Sequence, residues 1–252
     1  MLGGMPAPQI RLRAPHRSGH PWVFETAVAA VEGEPAAGAA VGVLDPGGRP
    51  AGWGWWTPGS QARVRLVELE APAPASEDAV LAVLRHRLNE AVVLRTGLGR
   101  LRAGRLVFGE SDGIPGLIAD RYGDVVVVQL LTAGTDVRRA ALVEMLREVL
   151  GGVSLIERSD SGAREREGLT PVRGTLAGVM PPEGLAPFEA GGLAWLADVA
   201  AGQKTGFYLD QVDSWVALRP LATGRRILDV CCYTGAFGLS LLSGGGAALV
   251  SG

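Results

Sequence analysis

Two segments late in the chain combine residue types that bind nucleotide-like ligands. Lys204-Thr-Gly-Phe-Tyr-Leu-Asp-Gln211 contains the single lysine of the 252 residues, next to a hydroxyl, a glycine and an amide. Leu228-Asp-Val-Cys-Cys-Tyr-Thr-Gly-Ala-Phe237 has the pattern of an apolar strand, a tight turn and a helix start. In a parallel sheet such a turn brings backbone N–H groups close to a ligand beyond the carboxyl end of the strand. Either segment alone also fits an ordinary turn that binds nothing.

Nucleophilic and metal-ligating side chains are scarce. Cys231 and Cys232 are adjacent, which excludes a disulfide framework and fits a reducing compartment. A thiolate there could act as a nucleophile. Neighbouring cysteines at the end of a buried strand are more typical of packing residues, however, and we predict packing for both. His16, His20 and His86 show no metal-ligand spacing.

The charge balance gives no bulk signal for nucleic acid, since 24 basic and 26 acidic residues leave a net charge of −2. RNA contact would need a local patch of basic and aromatic side chains. The residues that we select as candidates for such a patch are His20, Arg63, Arg65, Arg158, Arg164 and Arg166. Trp22 and Phe24 are interpreted as core residues. The arginines from 158 onward equally fit a solvated loop with salt bridges.

Three blocks must position these residues. Residues 1–75 alternate short apolar runs with turn signals, which predicts a β-rich domain that ends in a proline-rich linker. Residues 76–184 predict a helix capped by Ser76, followed by a small α+β domain of β-β-α-β-β type. In that domain the helix is expected over 136–150 and a polar loop over 164–168. Residues 185–252 predict the opening of a parallel α/β sheet. The chain shows no secretory signal and no apolar run of membrane length.

Further motifs occur in order along the chain. They are His20-Pro-Trp-Val-Phe24, Gly109-Glu-Ser-Asp-Gly-Ile-Pro-Gly116, Asp120-Arg-Tyr-Gly123, Glu157-Arg-Ser-Asp160 and Arg164-Glu-Arg-Glu-Gly168. Together with the two late segments, they resemble the bacterial class I S-adenosylmethionine-dependent methyltransferases that make 5-methylcytosine in large-subunit ribosomal RNA. The resemblance implies an α+β N-terminal part, made of a PUA-like β-barrel and a small α+β domain. It also implies the beginning of a Rossmann-like α/β methyltransferase domain after them.

The same resemblance implies S-adenosylmethionine as cofactor and large-subunit ribosomal RNA as partner. It further implies a cytoplasmic protein without membrane contact, and homodimers in some cases. The residues that it places at the cofactor are Lys204, Thr205, Gly206, Phe207, Gln211, Asp229, Cys231, Tyr233, Thr234, Gly235, Ala236 and Phe237. No catalytic residue is assigned within the chain, because the nucleophilic cysteine of the family is expected beyond residue 252. We therefore expect a truncated chain that binds the cofactor weakly and transfers no methyl group.

One departure and two alternatives accompany this interpretation. Val212 and Trp215 stand where the family usually has basic residues, which weakens the expected contact with RNA. A non-catalytic RNA-binding fragment is the alternative to a methyltransferase. A nucleotide-dependent oxidoreductase is disfavoured, because no G-x-G-x-x-G pattern follows the late strand.

Overall fold

The turn-rich first block folds into one mixed sheet. The computed structural model describes residues 8–16 and 19–251. Within them, the strands of the first sheet are β1 (Gln9–Leu12), β2 (Trp22–Phe24), β3 (Val28–Glu32), β4 (Ala40–Leu44), β5 (Pro50–Trp56) and β6 (Ala62–Leu69). Their spatial order is β2-β6-β5-β4-β1-β3, and only the pair β1–β4 is parallel. Alternate apolar residues such as Val41 and Val64 fill a small core of this sheet.

The interpretation of Phe24 as a core residue is wrong. Val23 is buried, whereas Trp22 on one side is half-buried and Phe24 on the other is exposed. Side chains alternate between the two faces of a strand, so the burial of Val23 directs both aromatic neighbours to the other face.

The predicted capped helix is confirmed as α1 (Glu77–Gly97). The hydroxyl of Ser76 accepts the Ala79 N–H at 3.3 Å, and Glu77 and Asp78 lie in the positively polarised first turn. Val80, Leu84 and Leu88 form its buried face. The helix thereby leads the chain from the linker onto the second sheet.

The central sheet contains five strands within the described residues. Its spatial order is β11-β10-β9-β8-β7, and these strands are β7 (Ala103–Phe108), β8 (Leu117–Tyr122), β9 (Val125–Leu130), β10 (Ser154–Ser159) and β11 (Val172–Ala177). Three strands precede the helices, at the apolar stretches 106–108, 116–120 and 125–131 that the sequence indicates as strands, whereas the β-β-α-β-β pattern has two strands there. The pair β9–β10 is parallel and the other pairs are antiparallel.

The helical part of this block is divided in two. A capping box between Thr132 and Thr135 starts α2 (Ala133–Val137) earlier than expected, and Arg138 separates it from α3 (Arg139–Leu150). The apolar spacing of the helix predicted over 136–150 would bury Ala140, but the structure leaves it exposed. The segment predicted as a polar loop contains a short helix, α4 (Gly162–Arg166).

Different cores cover the two faces of the central sheet. Along β9, Val126 and Val128 join α1, α3 and two tryptophans of the first sheet. Val125 and Val127 join the other core, which contains the hairpin β12 (Leu185–Ala190) and β13 (Leu193–Asp198). This alternation places the later part of the chain directly on the central sheet.

Trp55 of the first sheet packs against the helices of the central domain. Its ring lies so close to Gly134 of α2 that an added Cβ would stand 2.1 Å from it. The guanidinium carbon of Arg138 lies 4.3 Å from the centre of the ring, and the same side chain donates to the Gly38 carbonyl at 2.8 Å. Both sheets therefore share one core at this point.

The last part of the chain forms the predicted α/β unit. A short 3₁₀ turn (Leu209–Gln211) leads into α5 (Val212–Ala222), and β14 (Arg226–Asp229), α6 (Ala236–Ser243) and β15 (Ala248–Ser251) follow. Strands β14 and β15 are parallel, as expected. In the described ranges, no helix has both the length and the apolar character required to cross a membrane.

Candidate cofactor site

The two late segments meet in space. The backbone N–H of Gln203 donates to the Tyr233 hydroxyl oxygen at 3.1 Å, and the Tyr208 hydroxyl donates to the Gln203 side-chain oxygen at 2.7 Å. The rings of Tyr208 and Tyr233 pack edge to face, with their centres 5.5 Å apart. The segment before α5, residues 202–211, is called the cofactor loop below, and residues 229–237 are called the cofactor turn.

The cofactor turn has an unusual backbone. Cys231, Tyr233 and Gly235 adopt left-handed conformations, with φ values of 59°, 51° and 72°. The Asp229 carboxylate accepts the Gly238 N–H at 2.9 Å and so ties the end of β14 to α6. Helix α6 begins after Gly235, which has no side chain to cap it, and Asp229 is the side chain that binds an N–H group of its first turn, that of Gly238.

Backbone strain is concentrated in this region. Five non-glycine residues within the described part of the chain have positive φ, and Lys204, Cys231 and Tyr233 are three of them. Each such residue costs roughly 1–3 kcal/mol and persists only where its surroundings enforce it. Strain of this kind is typical of functional sites rather than of plain connections.

The prediction that both cysteines are packing residues is wrong. Cys231 is exposed and Cys232 is half-buried, because the left-handed backbone turns the chain outward after the strand. Thr234 is also exposed and borders a groove of about 960 Å³ against the hairpin β12–β13. Ala236 and Phe237 are half-buried against the second core.

An ion pair shapes the outer side of the cofactor loop. The Lys204 ammonium lies 3.0 Å from the Asp210 carboxylate and 4.1 Å from the centre of the Tyr208 ring. Partial burial raises the pKa of Asp210, but the hydrogen bonds from Lys204, its own backbone N–H and Gln211, together with the positive charge of Lys204, outweigh this effect and hold that pKa below its ordinary value. The side-chain amide of Gln211 donates to the same carboxylate at 3.4 Å.

Other residues of the loop face inward. The Thr205 hydroxyl donates to the Asp120 carboxylate at 2.6 Å and lies 2.8 Å from the Tyr122 hydroxyl. Phe207 is buried, and its N–H donates to the Tyr122 hydroxyl oxygen at 3.1 Å. At Gly206, an added Cβ would stand 2.9 Å from the Asp198 carbonyl oxygen. In the sequence, Asp120 and Tyr122 stand out only as members of the motif Asp120-Arg-Tyr-Gly123, which gives them no role.

Two residues selected for RNA contact lie in the interior. Arg158 donates to the Val199 carbonyl at 3.3 Å and to the Gly202 carbonyl at 3.1 Å, which fixes the start of the cofactor loop. Arg164 donates to the Leu130 and Thr170 carbonyls at 2.5 and 2.7 Å. Both side chains are buried, so the structure does not bring them to an RNA-facing surface.

Arg65 joins two domains instead of facing solvent. It donates to Glu167 at 2.9 Å and to Glu110 at 3.1 Å, and its guanidinium carbon lies 4.7 Å from the centre of the Trp22 ring. The Trp22 indole N–H donates to the same Glu110 at 2.7 Å. The Thr57 hydroxyl donates to Glu167 at 2.8 Å. Both carboxylates belong to the central domain.

The remaining RNA candidates are more accessible. Arg166 is exposed, and His20 and Arg63 are half-buried. Arg63 pairs with Glu25. The His20 imidazole accepts the Trp22 N–H at 3.1 Å, and its ring centre lies 5.6 Å from that of the exposed Phe24. Arg166 lies on α4 of the central domain, whereas His20 and Arg63 belong to the first domain.

Comparison with known proteins gives consistent results. Residues 13–68 match the PUA-like domain family. The protein named ribosomal RNA large subunit methyltransferase I from Escherichia coli (strain K12) is 39% identical over 235 residues, which are 92% of this chain and 58% of that protein. The protein of the same name from Salmonella gallinarum is also 39% identical, over 92% of this chain and 57% of its own length. The chain thus spans less than two thirds of the curated relatives that it matches.

Solved structures agree on the fold. A protein assigned as a SAM-dependent methyltransferase from Streptococcus mutans aligns with a TM-score of 0.71 and 20% identity, over 87% of this chain and 56% of its own. A methyltransferase structure complexed with SAH aligns with a TM-score of 0.72 and 20% identity, over 86% and 55% of the two chains. The predicted fold class, a PUA-like and α+β part followed by the start of a methyltransferase fold, is confirmed.

Proposed function

We propose that this chain is part of an S-adenosylmethionine-dependent methyltransferase of large-subunit ribosomal RNA. It is related over 92% of its length to the ribosomal RNA large subunit methyltransferase I proteins. The observation that carries the proposal is the junction of the cofactor loop and the cofactor turn through Gln203 and Tyr233. Two segments with cofactor-binding composition, about thirty residues apart, form one strained and partly open site there.

The residues of the cofactor turn fit the methionine end of S-adenosylmethionine. Its carboxylate would be held by N–H groups at the start of α6 and by the exposed Thr234 hydroxyl, since a helix N-terminus attracts an anion. Gly235 leaves this approach free of a side chain. Asp229 contributes indirectly rather than by contact with the cofactor, because its carboxylate already accepts the Gly238 N–H and so holds the turn in shape. When bound, the cofactor supplies an electrophilic methyl group on a sulfonium.

The cofactor loop would add a wall to the same site. Lys204, Tyr208 and Tyr233 present a cation and two partly exposed rings. Gln211 and Asp210 offer polar groups next to them. Thr205 and Phe207 support this wall from the interior rather than face a ligand.

The remaining parts of the proposal rest on the resemblance of the motifs. We assign the methylated position as cytosine C5, the location as the cytoplasm, and a homodimer as the assembly. The RNA surface is proposed to include the PUA-like part with His20 and Arg63, and Arg166 of the central domain. Expression of the full reading frame that contains this chain, in a strain that lacks the corresponding relative, followed by analysis of ribosomal RNA for 5-methylcytosine, tests the position.

Calorimetric titration of the chain with S-adenosylmethionine and with S-adenosylhomocysteine tests the cofactor part. We expect measurable binding that Gly235→Ala weakens, because a Cβ is disfavoured at a φ of 72° and would perturb the turn. Gly224→Ala is the matched control. Gly224 has a φ of 68°, lies in the same unit and has open space for a Cβ, so the backbone cost is alike. Equal affinities of the two variants, or no binding by the unaltered chain, would refute the assignment of this site.

A further inference from the structure

The central domain reaches into the candidate cofactor site through two side chains of β8. Asp120 and Tyr122 are both buried, and both contact the cofactor loop at Thr205. Their partner lies about 85 residues further along the chain. Nothing in the proposed function uses either residue.

Asp120 is a buried charge with two different partners. Its carboxylate accepts two hydrogen bonds from the Arg105 guanidinium, at 2.8 and 2.9 Å, and one from the Thr205 hydroxyl at 2.6 Å. A buried carboxylate is tolerated when an opposite charge and further donors satisfy it. Asp120 is therefore fixed by Arg105, and it holds Thr205 from that fixed position.

Tyr122 holds the same stretch of backbone by a second route. Its hydroxyl lies 2.8 Å from the Thr205 hydroxyl and accepts the Phe207 N–H at 3.1 Å. Burial raises the pKa of Tyr122 far above its ordinary value, so the hydroxyl stays neutral and keeps its proton. The loop is thus bound on both sides of Gly206.

These bonds explain the strained backbone at the outer side of the loop. Lys204 has a φ of 54° and Gly206 a φ of 135°, and Thr205 lies between them with only 1% of its surface exposed. With Thr205 drawn inward, the neighbouring Lys204 is left exposed on the outer side of the loop, beside the Tyr208 ring. Without an internal anchor, such strained conformations would relax.

We propose that Asp120 and Tyr122 are positioning residues for the cofactor loop and that Thr205 acts through them instead of touching the cofactor. This inference rests on the proposed function for the identity of the ligand. The single proton of the Thr205 hydroxyl is already donated to Asp120, and the side chain is buried. The central domain is then a part of the S-adenosylmethionine site.

The test compares isosteric variants in the whole chain. Thr205→Val and Tyr122→Phe each delete one hydroxyl, whereas Thr205→Ser retains it. Thr135→Val is the matched control, because Thr135 of α2 is also 1% exposed and is hydrogen-bonded to Thr132, the residue that caps this helix. All variants are measured for thermal unfolding, for affinity toward S-adenosylhomocysteine and for amide hydrogen exchange over residues 202–208.

We expect Thr205→Val to weaken the binding of S-adenosylhomocysteine about tenfold, which is the effect of losing a hydrogen bond to a charged group. Thr205→Ser should bind it within about twofold of the unaltered chain. Exchange over residues 202–208 should accelerate in Thr205→Val and Tyr122→Phe, and remain unchanged in Thr135→Val although that variant also melts earlier. If Thr205→Val lowers the melting temperature but matches Thr135→Val in affinity and local exchange, the residues are merely structural and the inference is overturned.

The exchange measurement needs no ligand and separates two kinds of failure. If the unaltered chain binds neither S-adenosylmethionine nor S-adenosylhomocysteine, the proposed function fails. Accelerated local exchange would still support the anchoring of the loop, and unchanged exchange would overturn it.

Discussion

Replacement of Arg65 by methionine tests whether this side chain joins domains or contacts RNA. The Arg65 guanidinium lies 2.9 Å from Glu167, and the side chains of the pair are 17% and 1% exposed. Methionine fills a similar volume but leaves the Glu167 carboxylate buried with only the Thr57 hydroxyl as donor. Breaking a buried pair in this way costs about 3–5 kcal/mol, and the partial exposure of Arg65 places our expectation near 3 kcal/mol.

Arg11→Met provides the matched control for this prediction. Arg11 also lies 2.9 Å from its partner, Glu32, but these side chains are 40% and 50% exposed. Water and salt screen such a pair, so its loss should cost under about 1 kcal/mol. Urea unfolding followed by tryptophan fluorescence gives both free energies of unfolding. A similar small loss in the two variants would refute the reasoning.

A second arm separates stability from RNA contact. The double variant Arg65→Met with Glu167→Leu removes the buried carboxylate together with its partner, and the partly exposed Glu110 carboxylate keeps the Trp22 indole N–H as donor, so most of the lost stability should return. If Arg65 binds no RNA, this double variant should also keep the affinity of the unaltered chain for a ribosomal RNA fragment. A restored stability with a lost affinity would return Arg65 to the RNA surface.

Two further predictions concern acid stability and the second strand. Partial burial raises the pKa of Asp136, but the hydrogen bonds and positive charges of Arg164 and Arg139 outweigh this effect, so the folded-state pKa lies below the ordinary 3.8. The stability that this shift provides is complete above pH 3.8 and is lost as the pH falls through the folded-state pKa. Asp136→Asn should therefore reduce the loss of stability at acid pH, in unfolding measured between pH 5 and 2. Val23→Ala should destabilise the protein by roughly 1.5–3 kcal/mol, whereas Phe24→Ala should cost under about 0.5 kcal/mol. If urea unfolding shows a larger loss of stability for Phe24→Ala than for Val23→Ala, the burial pattern of β2 is contradicted.

Local signals in the sequence account for what was predicted well. Ser76 followed by two acidic residues indicates a helix start, and the structure has α1 there. The apolar run before Asp229 and the small-residue turn after it indicate a strand and a helix, and both are present. These features depend on neighbours within a few residues, which the sequence displays directly.

Distant pairing accounts for what was missed. Thr205 meets Asp120, and Arg65 meets Glu167, across 85 and 102 residues. No periodicity connects such residues, so the sequence does not show that Arg65 and Thr205 have these partners. The burial of Arg164 was hidden for the same reason, because its acceptors include carbonyls of β9 and of the chain beyond α4. An arginine is expected at the surface unless its partners are known.

The close contact of Trp55 with Gly134 limits how this protein can diverge. The proline-rich linker looks like a convenient point for recombination, since it separates the PUA-like domain from the central domain in the sequence. A crossover there would inherit Trp55 from one parent and the residue at position 134 from the other. Any parent with a side chain at 134 would then place it against the indole ring, where an added Cβ would stand 2.1 Å away. Viable chimaeras should therefore inherit the tryptophan and the glycine together, as a linked pair on either side of the crossover.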